Sequence, residues 1–266
     1  QNLSLTVATI TSATYSWTGP NSFTSTLQNP IIGAATTLAS GTYSIIATVP
    51  GCGPSSTGTV AVTVNQTPAA PVAGSNSPVC SGNDISLTAT GSGVSYNWTG
   101  PSGFTSTSQN PVITPATTSN SGTYSVTTTS AAGCISTSGT VTVTVNQTPA
   151  APVAGSNSPV CSGQTLSLTA SSVGTSYSWS GPNGFTSTSQ NPIIGGVTTL
   201  ATGTYSVIAT AIGCTGPAGT VSVTINQTPI APVASSNSPI CAGTDLRLTA
   251  SSTGTSYNWN GPNSFT

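Results

Sequence analysis

The sequence predicts an all-β protein made of tandem antiparallel β-sandwich units that follow one another head to tail. Two observations carry this prediction. Short runs that alternate apolar and polar residues are separated by turn residues about every 8–12 positions, without helical periodicity, which is typical of β-sandwiches. The same motifs also recur at a nearly constant spacing, which indicates copies of one unit. The recurrence is clearest at the four tryptophans of the chain: Trp17, Trp98, Trp179 and Trp259.

The recurring motifs divide the chain into four repeats, each able to hold a small core. We expect the first and the last repeat to be incomplete parts of a longer protein, because the chain begins and ends within the motif series. Residues 65–82 and 146–163 are identical, which suggests recent duplication. They include the linker Asn-Gln-Thr-Pro-Ala-Ala-Pro, whose prolines predict a short, extended connection. The predicted repeats are residues 1–64 (first), 65–145 (second), 146–225 (third) and 226–266 (fourth).

The centre of each repeat is an aromatic strand with the pattern Tyr-x-Trp-x-Gly-Pro, as at residues 96–101. Residues two apart in a strand point to the same face, so Tyr96 and Trp98 share one. We expect the tryptophan to fill the core of its repeat. The alternative is an exposed platform on which a sugar ring stacks, since large aromatic side chains serve both purposes. The aromatic residues predicted to form the structural core are Trp17, Trp98, Trp179, Trp259, Tyr43, Tyr124 and Tyr205.

The other strands of a repeat follow in a fixed order, as the second repeat illustrates. Residues 85–89 alternate apolar and polar, a Gln-Asn-Pro motif at Gln109 leads into a short apolar strand, and Gly122 precedes a strand that carries Tyr124. This last arrangement resembles the tyrosine corner of certain sandwich folds. Residues 141–145 alternate valine and threonine and form the closing strand. The residues predicted to be buried together are Leu87, Trp98, Tyr124, Val126, Val141 and Val143, and likewise Leu168, Trp179, Tyr205, Val207, Val221 and Val223.

The composition excludes several functional classes. The only charged side chains are Asp84, Asp245 and Arg247, and the chain has no His, Lys or Glu. General acid–base catalysis and the activation of a serine nucleophile need such groups. Nucleic-acid binding needs several Lys or Arg residues to neutralise phosphates, and a calcium site needs several carboxylates. We therefore predict no enzyme activity, no catalytic or metal site, no cofactor and no nucleic-acid partner. The absence of a long apolar run predicts no membrane span.

The six cysteines fall into two series of three. One series follows Ser-Pro-[Val/Ile] and the other follows Gly. The chain contains none of the close Cys-x2-Cys pairs that zinc sites use. One cysteine of each series per repeat therefore predicts disulfides and an oxidising, extracytoplasmic location. The disulfide candidates are Cys52, Cys80, Cys134, Cys161, Cys214 and Cys241.

Two pairing schemes are open for these cysteines. The first is within a repeat, Cys80 with Cys134 and Cys161 with Cys214. The second is between repeats, Cys80 with Cys214, with the other partners in repeats outside the sequence. In a sandwich, Cys80 should lie near the end where the chain leaves the repeat, and Cys134 in a hairpin turn at the opposite end. A strand of nine or ten residues spans about 30 Å, whereas a disulfide needs Cα atoms within about 7 Å, which favours the second scheme.

The combined motifs resemble a known family. Tyr-x-Trp-x-Gly-Pro-x-[Gly/Ser]-Phe, Gln-Asn-Pro, Gly-Thr-Tyr-Ser-[Val/Ile], Gly-Cys and a closing Val-x-Val strand are similar to the immunoglobulin-like and PKD-like repeats of very large surface proteins of Bacteroidota bacteria. The resemblance covers the whole chain. Proteins of that kind are typically exported by type IX secretion, and some are gliding-motility adhesins. The resemblance implies a tandem immunoglobulin-like repeat protein at the cell surface or outside the cell, without naming a ligand.

These observations lead to a structural hypothesis with alternatives. We expect the repeats to form the stalk of an extracellular filament or surface adhesin, without catalysis. One alternative is a module that binds polysaccharide or another surface. Another is ice or mineral binding by a threonine face at Thr140, Thr142 and Thr144, although the other repeats do not keep that pattern. Because the chain lacks Lys at strand edges and has almost no net charge, we also expect self-association or contact with neighbouring repeats or filaments.

Overall fold

A computed structural model describes residues 1–171, 173–252 and 254–266. All regular structure in these residues is β-strand or short 3₁₀-helix. The chain forms two compact units, Gln1–Val145 and Asn146–Thr266. The division into four repeats stays a prediction. The 3₁₀-helices are Thr37–Ala39, Pro101–Gly103, Thr118–Asn120, Pro182–Gly184, Thr199–Ala201 and Pro262–Ser264.

The first repeat carries two antiparallel sheets. Its strands are β1 (Leu3–Ser4), β2 (Thr14–Gly19), β3 (Phe23–Ser25), β4 (Ile31–Ile32), β5 (Gly41–Val49), β6 (Gly53–Pro54) and β7 (Gly58–Val62). β1 pairs with β4, while β2 lies between β3 and β5, and β5 also pairs with β6 and β7. The aromatic strand β2 is therefore central in the larger sheet, as its apolar pattern requires.

The second repeat has the same plan with more strands. Its strands are β8 (Val72–Ser75), β9 (Val79–Cys80), β10 (Ile85–Thr90), β11 (Ser95–Thr99), β12 (Thr105–Ser106), β13 (Val112–Ile113), β14 (Gly122–Thr129), β15 (Gly139–Val143) and β16 (Val145–Asn146). One sheet has the order β13-β10-β8 and the other the order β12-β11-β14-β15. Alternate residues of both sheets point inward, so the core lies between them.

The third repeat repeats this arrangement, and the fourth contributes one hairpin-like pair. The strands are β17 (Ala154–Ser156), β18 (Val160–Cys161), β19 (Leu166–Ala170), β20 (Ser176–Ser180), β21 (Thr186–Ser187), β22 (Ile193–Ile194), β23 (Gly203–Ala211), β24 (Cys214–Thr215), β25 (Gly219–Val223), β26 (Ile225–Asn226), β27 (Val233–Ser236) and β28 (Leu248–Ser251). The sheets are β17-β19-β22 and β21-β20-β23-β24, with β25 on β23. β27 pairs with β28.

The predicted all-β, antiparallel sandwich class is confirmed, with one addition. β18 and β26 form a short parallel pair, in which Val160 is opposite Ile225 and Cys161 is opposite Asn226. The periodicity of the sequence could not reveal this pair, because each strand has only two residues. Through this pair, the Ser-Pro-Val-Cys segment of the third repeat lies beside the last strand of the same repeat.

Buried residues form three core clusters, and most residues predicted to be inward lie in them. Val141 and Val221 are corrections, because both are only half-buried. They lie on the outermost strands of their sheets, β15 and β25, where packing covers one side less completely. Burial is more complete four residues further along the chain, at Val145 in β16, which is 5% exposed, and at Ile225 in β26, which is 4% exposed.

The fourth repeat differs from the other three at its tryptophan. Trp259 was expected in a core, but it is half-buried, and Tyr257 beside it is 46% exposed. In the second repeat, Trp98 is covered because β11 pairs with β14, which brings in Tyr124 and Val126. No strand of the described residues pairs with the Trp259 segment in this way. The indole therefore keeps one side open.

Candidate functional site

The tryptophans of the first three repeats are held inside the sandwich by the same contacts. Trp17 is 2% exposed, Trp98 0% and Trp179 1%. In the second repeat the Trp98 indole N–H donates to the Gln109 carbonyl at 3.2 Å. The equivalent bonds in the other repeats reach Gln28 and Gln190. These three indole rings are therefore not available to stack on a sugar.

The recurrent Gln-Asn-Pro motif hydrogen-bonds to the strand that precedes the aromatic strand. Gln109 Nε2 donates to the Ala89 carbonyl at 2.7 Å, and the Ala89 N–H donates to Asn110 Oδ1 at 3.1 Å. The Pro111 carbonyl accepts from Leu87 N–H at 2.9 Å. All three residues of the motif thus satisfy backbone groups of one strand, which explains its recurrence without any ligand.

The tyrosines of the Gly-Thr-Tyr motif form the expected tyrosine corner. The Tyr124 hydroxyl donates to the Asn120 carbonyl at 2.9 Å, and Tyr43 and Tyr205 make the same bond four residues back. The Phe104 ring packs edge-on against Tyr124 with centroids 5.5 Å apart. Burial raises the pKa of the Tyr124 and Tyr205 phenols. These groups stay neutral hydrogen-bond donors and do not serve as acids or bases near neutral pH.

Glycine is required next to this tyrosine. A Cβ placed on Gly100 would lie 2.3 Å from the Tyr124 ring, and one on Gly122 would lie 2.8 Å from Pro101. Gly122 also has a φ of 141°, which disfavours residues with a side chain. The Gly-Pro and Gly-Thr-Tyr motifs are therefore two sides of one packed contact.

No reactive cluster is present in the described part of the chain. Residues 1–171, 173–252 and 254–266 contain no group of three or more His, Cys, Asp or Glu that could hold a metal ion. Within the same residues every buried side-chain nitrogen or oxygen has a hydrogen-bond partner. None of the helices found there has the length and hydropathy of a membrane span. The cysteines remain as the groups with chemistry of their own.

The cysteines divide into one bonded pair and four free thiols. Cys80 and Cys214 are disulfide-bonded, in the bond Cys80–Cys214. Cys52, Cys134, Cys161 and Cys241 are free. The favoured bond between repeats, Cys80 with Cys214, is therefore confirmed. The alternative of pairing within a repeat, Cys80 with Cys134 and Cys161 with Cys214, is wrong for both pairs.

The third repeat shows the physical reason for this correction. Its Cys161 lies opposite Asn226, at the end of the repeat's last strand. Its Cys214 Sγ lies 4.0 Å from the Asn146 carbonyl oxygen, at the start of the repeat. The two cysteines of one repeat therefore lie at its two ends, and the strands between them are too long for a disulfide to bridge.

The segment that carries Cys161 is fastened to the last strand by side chains. The Ser158 hydroxyl accepts from Thr224 N–H at 2.8 Å. Thr228 N–H donates to Ser162 Oγ at 3.0 Å, and Thr228 Oγ1 donates to the Ser162 carbonyl at 2.7 Å. We name the five residues Ser158–Pro159–Val160–Cys161–Ser162 the cysteine strap. Cys161 itself is exposed.

The Gly-Cys turns of the second and third repeats each contact the carbonyl of an equivalent linker asparagine. The Cys134 thiol donates to the Asn65 carbonyl at 3.8 Å, as Cys214 Sγ lies against Asn146. Asn146 Nδ2 also donates to the Ile212 carbonyl of the third turn at 3.4 Å. These linker asparagines were not singled out from the sequence. The letter-for-letter identity of residues 65–82 and 146–163 was the available signal, because it extends over the linker and the strap.

Comparison with known proteins identifies the fold family of the second repeat. Residues 68–146 match the family described as "Ig-like domain CHU_C associated", a Bacteroidota-associated domain. These residues are similar to that family. No curated protein matches the chain.

Two solved structures with similar folds have low sequence identity. A structure of murine CEACAM1b is 13% identical with a TM-score of 0.37, covering 61% of this chain and 99% of that one. The three N-terminal domains of the bacteriophage RB49 Highly Immunogenic Outer Capsid protein are 13% identical with a TM-score of 0.37, covering 86% of this chain and 94% of that one.

Proposed function

We propose that this chain is a non-catalytic structural region of a bacterial cell-surface or extracellular protein, such as an adhesin stalk or filament. In this proposal the repeats transmit mechanical load and separate the two ends of the stalk, and they catalyse no reaction. The tip that such a stalk presents would lie elsewhere in the protein. Gliding motility is one setting in which stalks of this kind are used.

The observation that carries the proposal is the structural use of the recurrent Trp, Gln-Asn-Pro and Tyr motifs. The indole of Trp98, the amides of Gln109 and Asn110 and the hydroxyl of Tyr124 all bind backbone groups inside one repeat. The same bonds recur in the first and third repeats. A binding module would need some of these polar and aromatic groups to face solvent.

The Cys80–Cys214 bond supports both the location and the mechanical role. Disulfides persist in oxidising compartments, which agrees with a protein outside the cytoplasm. By sequence, the bond links the second repeat to the third. A covalent link between successive repeats limits how far they separate under tension, and it does so without the charges that calcium-braced arrays need.

Single-molecule pulling of the full chain tests the proposal. Under oxidising conditions we expect discrete unfolding events, and the residues between Cys80 and Cys214 should not extend. Addition of a reductant should release that hidden length, and Cys214→Ser should release it without reductant. A chain that extends at low force without discrete events would contradict a load-bearing role.

The polysaccharide alternative is tested on the same protein. Affinity electrophoresis in gels containing bacterial or plant polysaccharides should show no retardation, because Trp17, Trp98 and Trp179 are buried. Retardation that disappears in Trp259→Phe, at the half-buried indole, would argue for binding.

We further propose that copies of the array, or neighbouring filaments, are its partners, since a net charge of −1 gives little repulsion. Sedimentation velocity at rising protein concentration and low salt should show reversible association. A strictly monomeric chain would contradict this proposal.

A further inference from the structure

The outward faces of the two sheets of a repeat differ in chemistry. In the second repeat, β11 of the larger sheet presents Ser95, Asn97 and Thr99 to solvent, so this strand is polar outside and apolar inside. The smaller sheet, β13-β10-β8, breaks that alternation on both of its outer strands. Val72 of β8 is 71% exposed and Val112 of β13 is 54% exposed. Neither valine belongs to the core cluster of the repeat.

The register of the strands places both valines on the outer face of the smaller sheet. Val72 lies opposite Thr90 of the central strand β10, and Val112 lies opposite Ser86 of the same strand. Directly opposite residues of an antiparallel pair share a face. Ser86 and Thr90 alternate with the buried residues of β10, so the face that they share with the valines points away from the core.

The third repeat builds the same face from β17, β19 and β22. Val153 is 76% exposed and Ile193 is 72% exposed. Ile193 lies opposite Ser167, and the Ser171 N–H donates to the Val153 carbonyl at 3.0 Å. The two outer strands of this sheet therefore also carry one outward aliphatic side chain each.

The aliphatic choice is kept at every copy of these two positions in the sequence. The position on the first strand is held by Val72, Val153 and Val233, and the position on the last strand by Ile31, Val112 and Ile193. A single exposed aliphatic residue is normal on a protein surface and needs no explanation. Two that recur on one face, in copy after copy, indicate a surface that is covered when the protein acts.

The centre of the face is low and carries no charge. A Cβ on Gly74 would lie 2.7 Å from Thr88 Oγ1, so the Thr88 side chain lies flat over the glycine opposite it. Thr169 lies over Gly155 in the same way in the third repeat. The raised aliphatic side chains on the outer strands thus flank a shallow trough. Asp84, just ahead of β10, is the one charged residue near the face, at the end away from Val72.

We propose that this outer face of the smaller sheet is the surface through which copies of the chain pack against one another. We name it the aliphatic face; its members are Val72, Gly74, Ser86, Thr88, Thr90 and Val112 in the second repeat, and Val153, Gly155, Ser167, Thr169, Ser171 and Ile193 in the third. Its occupant is the aliphatic face of a second copy. This inference rests on the proposed association between copies and names the surface responsible for it.

The chemistry of the aliphatic face is complementary to itself. A two-fold contact brings the same patch of both copies together, so that an aliphatic side chain of one copy can lie in the trough of the other. The threonine hydroxyls around the trough both donate and accept hydrogen bonds, so they suit an identical partner. The trough itself holds no charge that would have to be buried without a partner.

The size of the face predicts how strongly it associates. Three strands of about six residues, spaced about 4.8 Å apart, cover roughly 300 Å². One pair of faces would bury about 600 Å² in total, which is less than specific complexes need, whereas two pairs reach about 1,200 Å², the low end for such complexes. A copy should therefore be held only when the faces of both repeats are docked, whichever neighbours supply the partners.

The test places opposite charges on the aliphatic face of the full chain. One variant carries Val72→Lys and Val153→Lys, and the other carries Val72→Glu and Val153→Glu. In sedimentation velocity at low salt, each variant alone should stay monomeric at concentrations where the parent chain associates, because like charges would meet in the contact. An equimolar mixture of the two should associate again, and added salt should weaken the association of the mixture.

The matched control replaces exposed aliphatic residues outside the face. Val94 is 71% exposed and Leu200 is 70% exposed, so Val94→Lys with Leu200→Lys makes the same change of charge and apolar surface elsewhere. This control should associate as the parent does. Val112→Thr with Ile193→Thr keeps a branched side chain on the face and should weaken association about tenfold for each docked aliphatic side chain that is lost.

The outcomes separate this inference from the proposed function. If the parent associates and the Lys variant of the face associates equally, or if the control loses association as the face variant does, the aliphatic face is not the contact. A parent that stays monomeric but binds phosphatidylcholine vesicles, and loses that binding in the Lys variant, would overturn the second copy as the occupant. The stalk role is measured independently, because the Lys variant should keep the Cys80–Cys214 bond and the unfolding events of the parent under force.

Discussion

The second and first repeats share the same core motifs but differ along one edge. In the second repeat the Val79 N–H and the Ser77 hydroxyl both bond to Thr144, and Val145 is 5% exposed. In the first repeat Val64 is half-buried beside an open cleft. Both repeats bury their tryptophan. The comparison indicates that the strap closes one edge of the core and adds stability there.

The largest expected effect comes from removing the central indole. Trp98→Ala should destabilise the second repeat by about 3–5 kcal/mol, through lost burial and the cavity it leaves. Trp17→Ala should have a similar cost, but we expect the first repeat to be unfolded by it, because its uncovered edge leaves less stability to lose. Hydrogen exchange of the full chain in increasing urea, read on β11 and β2, measures both. Equal resistance of the two repeats would contradict the comparison.

A matched pair of valines tests the edge itself. Val145→Ala should cost about 2 kcal/mol, since it removes two buried carbons and leaves a cavity. Val64→Ala should cost well under half of that, because the Val64 side chain is already half-exposed. The same exchange measurement applies. Equal costs for the two substitutions would contradict the difference between the two edges.

The tyrosine corner gives a smaller effect with a pH signature. Tyr124→Phe should cost about 1–2 kcal/mol, since the Asn120 carbonyl loses its donor. Burial raises the pKa of Tyr124 above the ordinary tyrosine value of about 10, so the folded state holds the proton more tightly than the unfolded state. Its contribution is complete below about pH 10 and is lost as the pH rises through the folded pKa.

Scanning calorimetry at pH 8 and above pH 10 measures this dependence. The transition of the second repeat is the one that Trp98→Ala removes. Its decline at high pH should be shallower in Tyr124→Phe than in the parent chain. An identical decline in both would show that Tyr124 does not carry the effect.

The smallest expected effect comes from Ser77, the residue of the second repeat that is equivalent to Ser158 of the cysteine strap. Ser77→Ala removes the acceptor of the Thr144 N–H, a bond of 2.8 Å, and should cost about 1 kcal/mol. Thr144 and Val145 should lose protection in hydrogen exchange, while β11 keeps it. Ser102→Ala is a suitable control, because it removes a serine hydroxyl bond of the same repeat away from the strap. Equal loss of protection in both variants would indicate a general destabilisation.

The aromatic core could be predicted because its signal is local. Tyr and Trp two apart in a strand share a face, and the spacing of the motifs shows the same unit several times. Trp98, Tyr124 and Val143 are accordingly buried. The half-burial of Val141 was missed because alternation gives the face of a residue but not how completely a neighbouring sheet covers it. Trp259 was missed for the same reason, since its cover depends on a partner strand.

The sequence by itself determined the fold class and the position of the aromatic strands. Each follows from side-chain type and short-range order. The sequence favoured the bond between repeats, but only the tertiary structure decided between the two pairing schemes. It placed Cys161 beside Asn226 and Cys214 beside Asn146, at the two ends of one repeat, and it decided that Cys80 and Cys214 are bonded. A disulfide requires two distant parts of the chain to meet within a few ångströms, and spacing along a sequence does not contain that distance.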